Sequence, residues 1–150
     1  MALKIVILED NQDRQAVMAD CLADRFYQYD ARFFKTSSEI IHFLEEHLSE
    51  TIVISLDHDL ELIPGKNGQT IDGGTGREVA NYLAGKSPVC PVVIHSTNSA
   101  AVLGMEMVLQ NSRWRTTRVI PWGDLEWIPS QWFRAIRQAI LDAARTVAKH

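Results

Sequence analysis

The sequence predicts an α/β fold: a three-layer sandwich in which a five-stranded parallel sheet of order 2-1-3-4-5 carries helices on both faces. Three observations lead there. Short apolar runs alternate with helix-patterned segments along the whole chain. The runs are nearly continuous in apolar residues rather than alternating, as expected of strands covered on both sides. Acidic residues and histidines recur directly after these runs, at Glu9-Asp10, Asp57-His58-Asp59 and His95-Ser96, where open parallel sheets present ligand groups.

The 150 residues suit one domain, taken as 1–150, with a core large enough to need no disulfide or structural metal. With 46% apolar and 23% charged residues, the composition is that of a globular domain and excludes a disordered one. The opening apolar run meets Glu9-Asp10 too early for a signal-peptide core, so a cytoplasmic protein that does not engage a membrane is expected. Cys21 and Cys90 lack metal or redox spacing and read as buried thiols. Residues 1–60 hold 12 acids and 5 bases, against 7 and 10 in the remainder. That acidic half favours a cation in the site, and duplex nucleic acid is not an expected partner because no basic stripe is present. Arg113, Arg115 and Arg118 form only a short cluster, explained by a solvated connection.

In chain order, residues 3–8 form the first strand. Asn11 can cap a helix to Phe26, with Val17, Met18, Cys21 and Leu22 on one face. Ala31–Lys35 is a short strand, and Thr36-Ser37-Ser38-Glu39 makes a capping box ahead of Ile40, Ile41, Leu44 and Leu48. Thr51–Leu56 is the third strand. The polar, glycine-containing stretch Leu60–Gly74 is long enough to serve as a lid or binding loop. Thr75 and Glu78 start a third helix that stops before Gly85 and Pro88. Pro91–Ile94 is a strand, Asn98–Gln110 a helix, and Thr116–Ile120 a strand ending at Pro121. A long covering helix runs from Pro129 to about Val147, with proline at its first position.

In the predicted sheet, strands one, three and four are neighbours, so their acidic and histidine termini converge. Glu9, Asp10 and Asp57 offer hard oxygen ligands for Mg²⁺ or Mn²⁺, and without a cation their charges oppose one another. Helix capping is the competing explanation for Glu9-Asp10. His58 and His95 can exchange protons near neutral pH, although either alone is explained by a structural role. Ser96 and Asn98 can bind phosphate oxygens, and Asn98 can equally cap the helix. His42, His47 and His150 read as structural. The segment Asp72 to Arg77 reads as a helix cap rather than a phosphate loop. Trp122, Asp124, Glu126, Trp127 and Trp132 can wall the site or simply pack the core.

These residues resemble a response-regulator receiver domain, itself flavodoxin-like. Glu9-Asp10 stand at the acidic metal pair, Asp57 at the phosphoacceptor, Ser96 at the hydroxyl position and Pro121 at the proline after strand five. Receivers carry a lysine before that proline, and this chain has Ile120. The motif LDHDL (Leu56 to Leu60), the set Thr75, Gly76, Val79, Ala80 and Leu83, and His95-Ser96 with Asn98 and Met105 resemble a receiver branch named for cyclic-phosphate processing. Two departures are Ser99 and Ala101, where Pro and Gly are expected.

The resemblance implies a metal-dependent phosphoesterase acting on a cyclic phosphate or cyclic nucleotide. Glu9, Asp10 and Asp57 would bind Mg²⁺ or Mn²⁺, and His58 and His95 would move protons. Ser96, Asn98 and Asp59 would face the substrate, Asp59 also being able to support the metal or a histidine. Asp57 could instead attack phosphorus directly. The alternative is an atypical receiver signalling module, phosphorylated at Asp57 or binding a nucleotide without turnover and acting on a protein partner.

Overall fold

The computed structural model describes residues 2–60, 63–64 and 66–148. Strands β1 (Lys4–Leu8), β2 (Asp30–Phe34) and β3 (Thr51–Leu56) come first, then a two-residue pair, β4 (Ile63–Pro64) and β5 (Thr70–Ile71). The last two strands are β6 (Val92–His95) and β7 (Thr116–Val119). The main sheet has the order β2-β1-β3-β6-β7, parallel throughout. Omitting the small pair, this is the expected 2-1-3-4-5. Every residue of β1, β3 and β6 is buried, which is why these segments read as nearly continuous apolar runs.

Helices α1 (Gln12–Arg25), α2 (Ser37–His47), α3 (Gly76–Ala84), α4 (Ser99–Asn111) and α5 (Phe133–Ala148) cover the two faces. Val6, Leu8, Ile54, Leu56, Val92 and Ile94 pack under α2, α3 and α4 with Ile40, Leu83 and Met105. Ile5, Ile7, Val53 and Val93 face the opposite layer with Met18, Leu22, Trp132 and Ile136 of the α1 and α5 side. Alternate residues of one strand thus feed two separate cores.

The caps sit as the sequence indicates. Asn11 accepts from Arg14 N–H at 2.9 Å, Thr36 from Glu39 N–H at 3.2 Å and Asn98 from Ala101 N–H at 3.1 Å.

Three local expectations change. The long loop holds the antiparallel pair β4–β5 and a bridge between Asp59 and Thr75; Gly65, part of the expected loop, lies outside the described residues, as does His150. The final helix opens with a wide π turn over Ile128–Trp132, in which Phe133 N–H reaches the Ile128 carbonyl. That turn buries Trp127, Ile128 and Trp132 together. Cys21 is half-buried rather than buried, while Cys90 is buried, and both are free thiols. No described helix is long and apolar enough to cross a membrane.

Candidate functional site

Sheet register assembles the site. Leu8 pairs with Leu56, and Leu56 with Ile94, so the residues one step later, Glu9, Asp57 and His95, leave three adjacent strands at the same level. Asp57 N–H bonds the Leu8 carbonyl at 3.1 Å, extending the ladder one residue past the strand. Gly76 presses against this corner: its N–H donates to the His58 carbonyl at 3.1 Å. A Cβ at position 76 would lie 2.0 Å from the Asp57 carbonyl oxygen, so only glycine fits that approach.

Glu9, Asp57 and His95 are all buried and each offers a ligating atom within 4.8 Å of the others. Glu9 Oε2 accepts from Asn11 N–H at 3.0 Å, and Asp57 Oδ1 from His58 N–H at 2.7 Å. Glu9 Oε1 and His95 Nε2 lie 3.2 Å apart but are not aligned as a hydrogen bond, and both are buried with no hydrogen-bond partner among the described residues. Orphaned groups of this kind are costly unless a ligand completes them. Glu9 Oε1 and His95 Nε2, with the Asp57 carboxyl beside them, therefore fit a divalent cation.

The two acids differ in charge state. Burial pushes the Asp57 carboxyl up to about 7, with the Glu9 charge adding to it while His95, the His58 N–H and Arg14 oppose. For Glu9, burial works upward too, but His95, the Asn11 N–H and Arg14 outweigh it and hold the carboxyl below its ordinary value. One acid is kept ionised while its neighbour holds a proton near neutrality, the kind of split that acid-base sites use.

Behind His95, Ser55 Oγ lies 2.8 Å from Nδ1 and accepts from Trp132 Nε1–H at 3.0 Å. Trp132 can only donate, so Ser55 Oγ either gives its proton to His95 Nδ1 or accepts a second bond from a protonated Nδ1. In the neutral tautomer that accepts from Ser55, the ring proton sits on Nε2, facing Glu9. Glu9, Asp57 and His95 together are the group that could hold a metal ion. Trp127 stacks on the same ring, with centroids 5.9 Å apart.

The other expected residues lie around this centre. Ser96 is buried and its hydroxyl accepts from Asn98 N–H at 3.1 Å. Asn98 caps α4 through Oδ1 and donates from Nδ2 to Asp59 Oδ2 at 3.3 Å. Asp59 is exposed, with Oδ1 4.0 Å from His58 Nε2. His58 Nδ1 is buried and has no hydrogen-bond partner among the described residues. Asp10, half-buried, stands beside Glu9 but outside the group of three. Asp72 accepts from Gly74 N–H, and Thr75 N–H donates to Glu78 Oε1 at 3.1 Å, so that segment is a helix start, as expected.

Ser55 and Arg14 were not singled out by sequence reasoning. Ser55 leaves a trace, being the one hydroxyl inside Ile52–Leu56. Arg14 leaves none, because a basic residue in the first turn of an amphipathic helix reads as solvated. Trp127 and Trp132 serve both the core and the site, whereas Trp122 is exposed.

Solved structures share this architecture. The phosphorylated cyanobacterial phytochrome response regulator RcpA is similar at 18% identity with a TM-score of 0.69, over 94% of this chain and 95% of its own. The signal receiver domain of a putative LuxO repressor protein from Vibrio parahaemolyticus is similar at 13% identity with a TM-score of 0.70, over 100% and 98%. The Mn²⁺-bound form of response regulator Rcp1 is similar at 16% identity with a TM-score of 0.61, over 91% and 92%. At these identities the likeness establishes the fold. No curated protein matches the chain. The LDHDL corner, the His95-Ser96 strand end and the Gly76 contact all fall within residues 4–111, which match the model of the cyclic-phosphate processing receiver domain, and the chain belongs to that family.

Proposed function

We propose that this protein is a metal-dependent phosphoesterase that opens a cyclic phosphate, with a cyclic nucleotide as the leading substrate class. The observation that carries the reading is the convergence of Glu9, Asp57 and His95 within 4.8 Å, with Glu9 Oε1 and His95 Nε2 buried and unsatisfied. Glu9 and Asp57, with Asp10 from the same strand end, would hold Mg²⁺ or Mn²⁺. When bound, the ion supplies Lewis acidity toward phosphoryl oxygens and the positive charge that lets Asp57 ionise. The family name and the Mn²⁺ held by Rcp1 support this reading.

The residues divide the proton traffic. His58 Nδ1, buried and unpaired, takes a proton from the attacking water. His95 Nε2 gives its proton to the leaving oxygen as the P–O bond breaks, so one water is added across that bond. Ser55 and Trp132 hold the His95 ring in the tautomer this step needs. Ser96, Asn98 and Asp59 would orient the phosphate and its substituent. We place the enzyme in the cytoplasm.

A second reading is a receiver module phosphorylated at Asp57, which Asp57 and Ser96 favour by position. Against it, Ile120 replaces the expected lysine and is 58% exposed, so it cannot contact a phosphoryl group as a cation. The test incubates the protein, His58→Ala and His95→Ala with 2′,3′- and 3′,5′-cyclic nucleotides plus Mg²⁺ or Mn²⁺. Turnover by the wild type that both variants lose supports the enzyme. Stoichiometric labelling of Asp57 by acetyl phosphate, without turnover, establishes the module instead.

A further inference from the structure

Arg14 forms ion contacts with both Glu9 and Asp57, and the proposed chemistry leaves it without a role. It projects from the first turn of α1, with Nη1 3.6 Å from Glu9 Oε1 and 3.8 Å from Asp57 Oδ2. Neither contact is a hydrogen bond, and among the described residues its guanidinium makes none. Its anchor is the Trp127 ring, whose centroid lies 5.3 Å from Cζ. Trp127 also stacks on His95. Arg14 and His95 therefore share one aromatic wall, and the guanidinium side chain is 29% exposed.

We propose that Arg14 is the phosphate-binding cation of this site, standing on Trp127 where it can supply the positive charge that Ile120 does not. The proposal rests on the site's taking a phosphate, as argued above. A guanidinium held, among the described residues, by a ring face and two long ion contacts can swing its fork to a phosphate without breaking a hydrogen bond to any of them. Entry of a divalent cation between Glu9 and Asp57 repels it from the carboxylates and favours that movement. An arginine fork also suits two oxygens of one phosphate better than a lysine does.

The test is calorimetric titration of inorganic phosphate into the protein at saturating Mg²⁺, for the wild type, Arg14→Gln and Arg14→Lys, with melting curves to verify folding. Arg14→Gln is expected to lose on the order of ten- to a hundredfold in phosphate affinity, the span of one charge-assisted contact. Arg14→Lys should recover only part of the loss, and it serves alone where Arg14→Gln does not fold. Mg²⁺ titrated without phosphate should bind Arg14→Gln at least as tightly as the wild type. Wild-type phosphate affinity in both variants overturns the role of Arg14 and leaves the proposed function standing. A wild-type protein that binds Mg²⁺ but no phosphate overturns both.

Discussion

Replacing Asp57 by Asn probes the electrostatics of the site through stability alone. Asp57 has an ordinary carboxyl value of 3.8 that burial lifts to about 7. Between those values the folded protein binds a proton at this group that the unfolded chain has released, so the group's contribution to stability falls as pH rises through that window. At ~1.36 kcal/mol for each pH unit, the ceiling on this loss is ~4 kcal/mol. Asparagine keeps an oxygen to accept the His58 N–H and never ionises. With metal removed by a chelator, Asp57→Asn should match the wild type near about pH 4 and exceed it above about pH 7, by as much as ~4 kcal/mol. For a chain of this length each kcal/mol moves the melting midpoint by ~2–4 °C, so thermal or urea melts across pH resolve the effect. A difference between variant and wild type that does not change with pH refutes the reasoning.

Other consequences of the same geometry are open to measurement. Metal binding must displace the Asp57 proton, so Mg²⁺ or Mn²⁺ affinity should rise up to about tenfold for each pH unit below about 7 and level off above it, as calorimetry would read; flat affinity removes Asp57 from the ligand set. Ser55→Ala orphans Trp132 Nε1–H and His95 Nδ1, which should cost ~2–4 kcal/mol in urea unfolding; a near-neutral result dismisses the tautomer lock. Gly76→Ala drives a Cβ into the Asp57 carbonyl oxygen and should destabilise by ~1–3 kcal/mol while weakening metal binding, since the Asp57 corner must shift.

The fold was legible because its signals are local and redundant. The strands β1, β3 and β6 are apolar on both faces, and their periodicity states their burial directly. Asn11, Thr36 and Asn98 mark helix starts with side chains that accept from the first-turn N–H groups. The convergence of Glu9, Asp57 and His95 followed from strand order alone, because parallel register puts the residues after paired ones at one level.

What escaped reading depends on side-chain reach across the fold. Arg14 joins the site through Trp127, 113 positions away in the chain, and Ser55 through Trp132; no periodicity encodes either contact. The π turn was missed because Pro129 fits the first turn of an ordinary helix equally well. The β4–β5 pair was missed because two-residue strands have no period to detect.

The central claim is that this strand-end site hydrolyses a cyclic phosphate. The most direct measurement follows 2′,3′- and 3′,5′-cyclic nucleotides by phosphorus NMR in ¹⁸O-enriched water, with Mn²⁺ present and its binding verified separately. The account predicts that a cyclic diester resonance gives way to a monoester carrying one ¹⁸O, and that His95→Ala abolishes the conversion while retaining the metal. Cyclic substrates that persist unchanged with the metal-loaded wild type would contradict it.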